Sequence, residues 1–135
     1  MDYIVNTDGI IVEVEPRYIE ERSSPADQYF FFAYTIRITN VSQRTVQLLT
    51  RYWLITDGNG EQQEVRGDGV VGQQPVLAPG TQFEYTSFCP LSTEVGTMRG
   101  SYQLAVTRAA DTAGDDDMIE AEIPSFTLAA PHALN

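Results

Sequence analysis

Phe30, Phe32, Tyr34, Ile36 and Ile38 alternate with Phe31, Ala33, Thr35, Arg37 and Thr39. A period of two over so long a run marks a β-strand with one face buried and the other carrying smaller or polar groups. The pattern recurs along the chain. Ile10, Val12 and Val14 alternate with Ile11, Glu13 and Glu15. Phe83, Tyr85 and Ser87 alternate with Gln82, Glu84 and Thr86, and Tyr102, Leu104 and Val106 with Ser101, Gln103 and Ala105. Ile123, Phe126 and Leu128 flank Pro124, which lacks an amide donor and so marks either an edge strand or a bulge. The run from Val46 to Ile55 is apolar on both faces, which predicts a central strand or one covered on both sides and leaves the face taken by Trp53 open. No window of useful length has the i, i+3, i+4 apolar spacing of an amphipathic helix.

Turn chemistry separates these runs. Ser24-Pro25-Ala26-Asp27 reads as a loop, and Asp57-Gly58-Asn59-Gly60 as a hairpin because Gly and Asn adopt positive φ cheaply. Pro79-Gly80 suits the centre of a type II turn, and Asp111 to Asp117, with Gly114 inside, predicts an acidic hairpin tip. About seven short strands with turns between them predict an all-β sandwich of immunoglobulin-like or fibronectin-like type. No repeat and no boundary divides the 135 residues, so the chain reads as a single domain, 1–135, with a core over about 10–131. Residues before about Asp8 and after about Pro131 are expected to fray.

Charge narrows the function classes. There are 19 acids against 8 bases, a net charge of −11. Affinity for a phosphate backbone comes mainly from Lys and Arg releasing counterions, so nucleic acid is excluded as a partner, and an anionic membrane surface with it. All eight bases are Arg, and nothing in the sequence explains the absence of Lys. Cys89 is the only cysteine, which rules out an intramolecular disulfide and fits a reducing compartment. The N-terminal residues carry acids where a secretory signal would carry bases, and no apolar run reaches the length of a membrane span. A cytoplasmic protein is expected. Exposed sheet edges allow self-pairing while the like charge opposes it, which predicts a monomer or a weak homo-oligomer.

Gly67-Asp68-Gly69-Val70-Val71-Gly72 matches G-x-G-x-x-G. A dinucleotide site needs a helix after that motif, so that the helix N-terminus can hold pyrophosphate. Gln73-Gln74-Pro75-Val76-Leu77-Ala78-Pro79-Gly80 follows instead, a poor helix, and the Asp68 charge would repel phosphate. The glycines then read as a loop that needs positive φ or close backbone approach, exposed enough to act as an interaction site. Asp111, Asp115, Asp116 and Asp117 would suit a hard cation only if their oxygens converged, and consecutive residues point in different directions; a solvated tip is expected, with no metal site. Cys89 and His132 are the sole thiol and the sole imidazole, and a catalytic pair would require the C-terminal tail to dock on the body. No catalytic set and no cofactor are predicted. Arg51, Tyr52, Trp53 and Phe88 are of the types that anchor protein interfaces, although Trp53 fits a core position equally well.

Taken in order, Phe32-Ala33-Tyr34-Thr35-Ile36, Val46-Gln47-Leu48-Leu49, Arg51 to Asp57, Glu64-Val65, Gly67 to Gly72, Gln74-Pro75, Leu77 to Gly80 and Tyr85-Thr86-Ser87 resemble the ApaG family, also called CorD. Gly96, Met98, Gly100-Ser101-Tyr102 and Ile123 to Phe126 complete the pattern, which runs from about Ile10 to Pro131. Two positions depart from it: the family's Arg-His-Trp is Arg51-Tyr52-Trp53, and the Gly common after Tyr-Thr-Ser is Phe88. The resemblance implies a fibronectin type III-like sandwich and an association with cobalt and magnesium tolerance. It also implies a gene neighbourhood shared with diadenosine tetraphosphate hydrolysis, and eukaryotic relatives that use the domain for protein–protein interaction. With no catalytic set beside this resemblance, the function expected is a non-enzymatic module that binds a protein partner, and the residue types and the exposed glycine loop make Arg51, Trp53 and the loop holding Gly67, Asp68, Gly69 and Gly72 its candidate site. A binder or sensor of pyrophosphate, diadenosine tetraphosphate or divalent cations is the alternative, and a hydrolase of such nucleotides a third.

Overall fold

The computed structural model describes residues 3–107 and 117–134. Among the described residues nine strands form two antiparallel sheets. The first sheet has the order β1 (Tyr3–Thr7), β2 (Ile10–Tyr18), β3 (Phe30–Asn40), β7 (Gln82–Leu91). The second has the order β5 (Gln62–Asp68), β4 (Val46–Asp57), β8 (Val95–Val106), β9 (Met118–Ala129), with the short β6 (Val76–Leu77) paired to β4 beyond β5. This is a fibronectin type III-like β-sandwich. The Asp111 to Asp116 part of the expected acidic tip lies outside the described residues.

The inward positions of the alternating runs form one core. Ile10, Val12, Phe32, Ile36, Ile38, Leu48, Tyr102, Leu104 and Leu128 are wholly excluded from solvent. Each buried side chain of this size contributes roughly 1.5–3 kcal/mol, so the alternation is the main source of stability. Around the middle of β3, Tyr34, Trp53 and Phe126 meet edge to face or tilted, with centroids 5.3 to 5.9 Å apart.

Two expectations at the ends need correction. Tyr3–Thr7 does not fray: it pairs with β2 in register Tyr3↔Val14 to Thr7↔Ile10. The signal was Asp8-Gly9, a two-residue hairpin loop in which both residues take positive φ, 53° and 88°. The tail is also held. Ala130 is buried, and Pro131–Leu134 forms a 3-10 turn that sets His132 Nε2 3.4 Å from Glu94 Oε1.

Pro124 sits at a bulge in β9, which is also the edge of its sheet: Met98 pairs with Phe126 but Gly100 with Ile123. A second bulge, at Leu49 in β4, positions the site. Leu48 pairs with Leu104 and Thr50 with Gln103, so one residue is left over. Before it the inward residues are Val46 and Leu48; after it the parity flips, and Trp53 is buried.

The two long sides of the sandwich differ. On one, β1 and β2 pack against β9, and Thr7 Oγ1 accepts the Glu122 amide at 3.2 Å. On the other, the edge strands β5 and β7 stand apart with a cleft between them.

Candidate functional site

The cleft has a volume of about 560 Å³. The parity flip at Leu49 sends Arg51, Trp53 and Ile55 of β4 into it, and β5 adds Gln63, Val65 and Asp68. β3 gives Tyr34, β7 gives the stretch from Tyr85 and Ser87 to Pro90, and the turn after β5 closes it with Val70, Val71 and Gly72. Four of the six sequence candidates, Arg51, Trp53, Asp68 and Gly72, therefore line one cleft, and Gly67 and Gly69 shape its arginine end. Trp53 is 3% exposed, so it is a floor residue and not the exposed anchor considered from sequence. Phe88 is 53% exposed at the rim and stacks on Phe31 at 5.4 Å, with the Arg22 guanidinium 4.5 Å from the Phe31 ring. Tyr52 points to the opposite face of β4, where its hydroxyl donates to Glu64 and Arg66 lies 4.3 Å over its ring.

Arg51 Nη1 donates to the carbonyls of Asp68 at 3.0 Å and Gly69 at 2.9 Å. Gly67, directly across the ladder from Arg51, makes this possible. A Cβ there would fall 2.8 Å from Nη1, so the guanidinium occupies the space a side chain would take. Gly69 has a different reason: its φ of +63° closes the turn, and a Cβ would meet the Gln73 carbonyl at 2.2 Å.

No helix follows the glycine motif. Val70 and Gln73 exchange both backbone hydrogen bonds, at 2.8 and 2.9 Å, and the Gly69 amide donates to Leu49. Three of the turn's amides are thus spent inside the protein, and the anion cradle of a dinucleotide loop is not built.

The hydroxyls of Tyr34, Tyr85 and Ser87 line the wall opposite Arg51, and Tyr102 lies buried beside Arg51 on the neighbouring strand. Tyr85 on β7 and Tyr102 on β8 share a 2.5 Å hydrogen bond that joins the two sheets. Burial raises the pKa of both phenols, and of Tyr34, so that all three are neutral at physiological pH; the Arg51 charge opposes the shift in each. Burial likewise pushes the Cys89 thiol up to about 11, which leaves it protonated and a poor nucleophile at neutral pH. His132, the other candidate for catalysis, contacts Glu94 and the Phe30 ring. Among the described residues no three His, Cys, Asp or Glu side chains are grouped to hold a metal ion.

Tyr34, Tyr85, Ser87 and Met98 were not among the sequence candidates. They look like core positions in the alternation, and only the separation of β5 from β7 turns them into cleft walls.

Residues 20–106 match the family model described as the ApaG domain. This chain belongs to the ApaG family. A Methylobacterium sp. (strain 4-46) Protein ApaG is 52% identical over 130 residues, covering 96% of this chain and 95% of that one. The crystal structure of the Bordetella pertussis ApaA protein superposes with a TM-score of 0.83 at 49% identity, covering 94% of this chain and 98% of the other. A second crystal structure, a structural-genomics target, gives 0.82 at 37% identity over 97% and 94%. The ApaG relatives' names state no reaction. Among the described residues no helix is long and apolar enough to cross a membrane.

Proposed function

We propose that this ApaG chain is a non-enzymatic binding module that receives a segment of a protein partner in the cleft between β5 and β7. The observation that carries the reading is the cleft's composition: an aromatic floor of Trp53 and Tyr34 flanked by Val65 and Val70, with polar groups from Arg51, Gln63, Asp68 and Ser87 along its walls. Val71 is 52% exposed at its mouth, and Phe88, 53% exposed, borders it from the outer face of the edge strand β7, where it stacks on Phe31. Apolar concavities with a few placed polar groups are the usual binding sites of proteins, and exposed strand edges accept extended segments. Tolerance to cobalt and magnesium would then act through the partner.

The test compares immobilised wild-type chain with Phe88→Glu and Val71→Glu, both at exposed positions and expected to fold normally. A partner retained stoichiometrically by wild type and lost by both variants is the expected result. Repeated failure to retain any stoichiometric partner would overturn the reading.

A second reading, a binder of pyrophosphate, diadenosine tetraphosphate or divalent cations, is favoured by the Arg51 charge in the cleft and weakened by the spent amides of the glycine turn. Calorimetry with these ligands and with Mg²⁺ and Co²⁺ separates the two. Heat of binding at micromolar ligand, lost in Arg51→Gln, would replace the first reading with the second. Turnover of diadenosine tetraphosphate abolished by Gly69→Ala and Arg51→Ala would replace both with a hydrolase.

A further inference from the structure

Arg51 is a cation at an inward-facing sheet position, in a protein with a net charge of −11. Among the described residues no carboxylate lies within ion-pair distance of it. Arg37, by comparison, is paired to Glu13 and Glu84, and Arg66 to Glu64. A guanidinium has five N–H donors, and Nη1 turns its own toward two main-chain carbonyls. Among the described residues only Nη1 of Arg51 makes a hydrogen bond, which leaves Nε and Nη2 able to donate to a guest. Those two donors form the fork that a carboxylate fits side-on, with two parallel hydrogen bonds.

The cleft also ends at this residue. On β4 its lining runs from Ile55 through Trp53 to Arg51 and stops; on β5 it runs from Gln63 to Asp68. Val70, Val71 and Gly72 then fold across that end. A groove open at the Ile55–Gln63–Pro90 end and shut beside a cation fits a chain that terminates. A segment passing through would have to climb over the glycine turn.

Resting on the binding-module reading, we infer that the cleft captures the C-terminal end of its partner polypeptide. The terminal carboxylate lies on Nε and Nη2 of Arg51, within reach of the Ser87 and Tyr34 hydroxyls. The last apolar side chain lies on the Trp53–Tyr34 floor, and Val71 flanks the preceding residues. Asp68, exposed at the rim, selects against further acids near that terminus. Charge complementarity therefore fixes the partner's chemistry: one terminal carboxylate on an otherwise neutral or basic apolar segment.

The experiment selects binders from two displayed libraries of short random peptides, one ending in a free C-terminus and one with the random stretch held internally. Selected sequences are then made as acids and as amides. Trp53, the sole tryptophan, lines the cleft and reports occupancy by its fluorescence. The expected result is enrichment from the free-end library only, with amidation weakening binding about tenfold or more. Arg51→Gln should bind acid and amide alike. Because Arg51 also holds the glycine turn, the acid–amide comparison on the wild-type chain decides the matter even if that variant folds poorly. Enrichment from the internal library, or equal affinity for acid and amide, overturns terminus capture and leaves the binding-module reading standing. Enrichment from neither library overturns it too, and the retention experiment with Phe88→Glu then decides the broader reading. Displacement of selected peptides by pyrophosphate that itself binds tightly overturns it in favour of a small-anion site.

Discussion

Gly67 stands directly across the ladder from Arg51, and the guanidinium lies where a Gly67 side chain would be. A glycine at this position provides room for a cation's head, and the carbonyls just beyond it, on Asp68 and Gly69, hold that head in place.

Gly67→Ala should therefore move Arg51 without breaking the fold. The added methyl meets the far end of a flexible side chain, which can swing away at the expense of its two carbonyl contacts. A loss of about 1 kcal/mol is expected, read as a fall in Tm of about 3–5 °C. The Trp53 emission should change with it. Unchanged stability together with unchanged Trp53 emission would mean that the guanidinium is not seated over Gly67.

Tyr85 and Tyr102 satisfy each other across the two sheets. Replacing either by Phe strands a buried hydroxyl, an expected loss of about 1–3 kcal/mol. The double Phe variant should cost clearly less than the sum of the two, because both polar groups leave together. Urea denaturation of the four proteins closes the cycle; strict additivity would show that the two hydroxyls do not depend on one another.

Asn40 is fully buried, and every part of its amide is used. Nδ2 donates to the carbonyls of Arg44 at 2.7 Å and Leu77 at 2.9 Å, and Oδ1 accepts from the Ser42 amide and hydroxyl. It thereby ties the β3–β4 turn to β6. Asn40→Ala should cost about 2–4 kcal/mol and speed hydrogen exchange in residues 40–46 and 76–78 first. A loss below about 0.5 kcal/mol would be that of an ordinary surface site.

High pH should weaken the protein through Cys89. Burial holds the folded thiol near 11, above its ordinary value of 9.0. Between those values the unfolded chain releases the proton and the folded chain keeps it, so the unfolded state binds fewer protons and stability falls as pH rises. The stability is fully present below about pH 9, and the total loss is on the order of 2 kcal/mol. Cys89→Ala should flatten that part of the profile, leaving the further decline set by the buried tyrosines. Alkylation of the native thiol should be slow at pH 7 and accelerate toward pH 11.

Much of the sandwich is legible in the alternation of residues 10–15, 30–39, 82–87 and 101–106, since a period of two leaves few ways to bury one face. The hairpin at 57–60 was readable from its glycines, and Asp8-Gly9 carried the same information for β1. What local pattern does not carry is a change of parity. Val46 to Ile55 is apolar on both sides, so the extra residue at Leu49 leaves no trace in hydrophobicity, and the facing of Trp53 and Arg51 depends on pairing with β8. Likewise the glycine motif shows that backbone comes close to something. It does not distinguish a phosphate from the guanidinium that lies over Gly67, because that contact is set by β4–β5 register. The cleft depends on how far apart two edge strands finish, a property of sheet twist and packing with no residue of its own.

The unequal long sides make the molecule resemble a book. Its spine, where β1 and β2 meet β9, is densely bound. Its fore-edge, between β5 and β7, has no such packing, and behind it the Tyr85–Tyr102 link joins β7 to β8. Whatever fills that fore-edge acts as a clasp, drawing together the two halves where they are least tied. Occupancy would then register as resistance to heat and protease throughout both sheets, well beyond the few side chains that touch the guest.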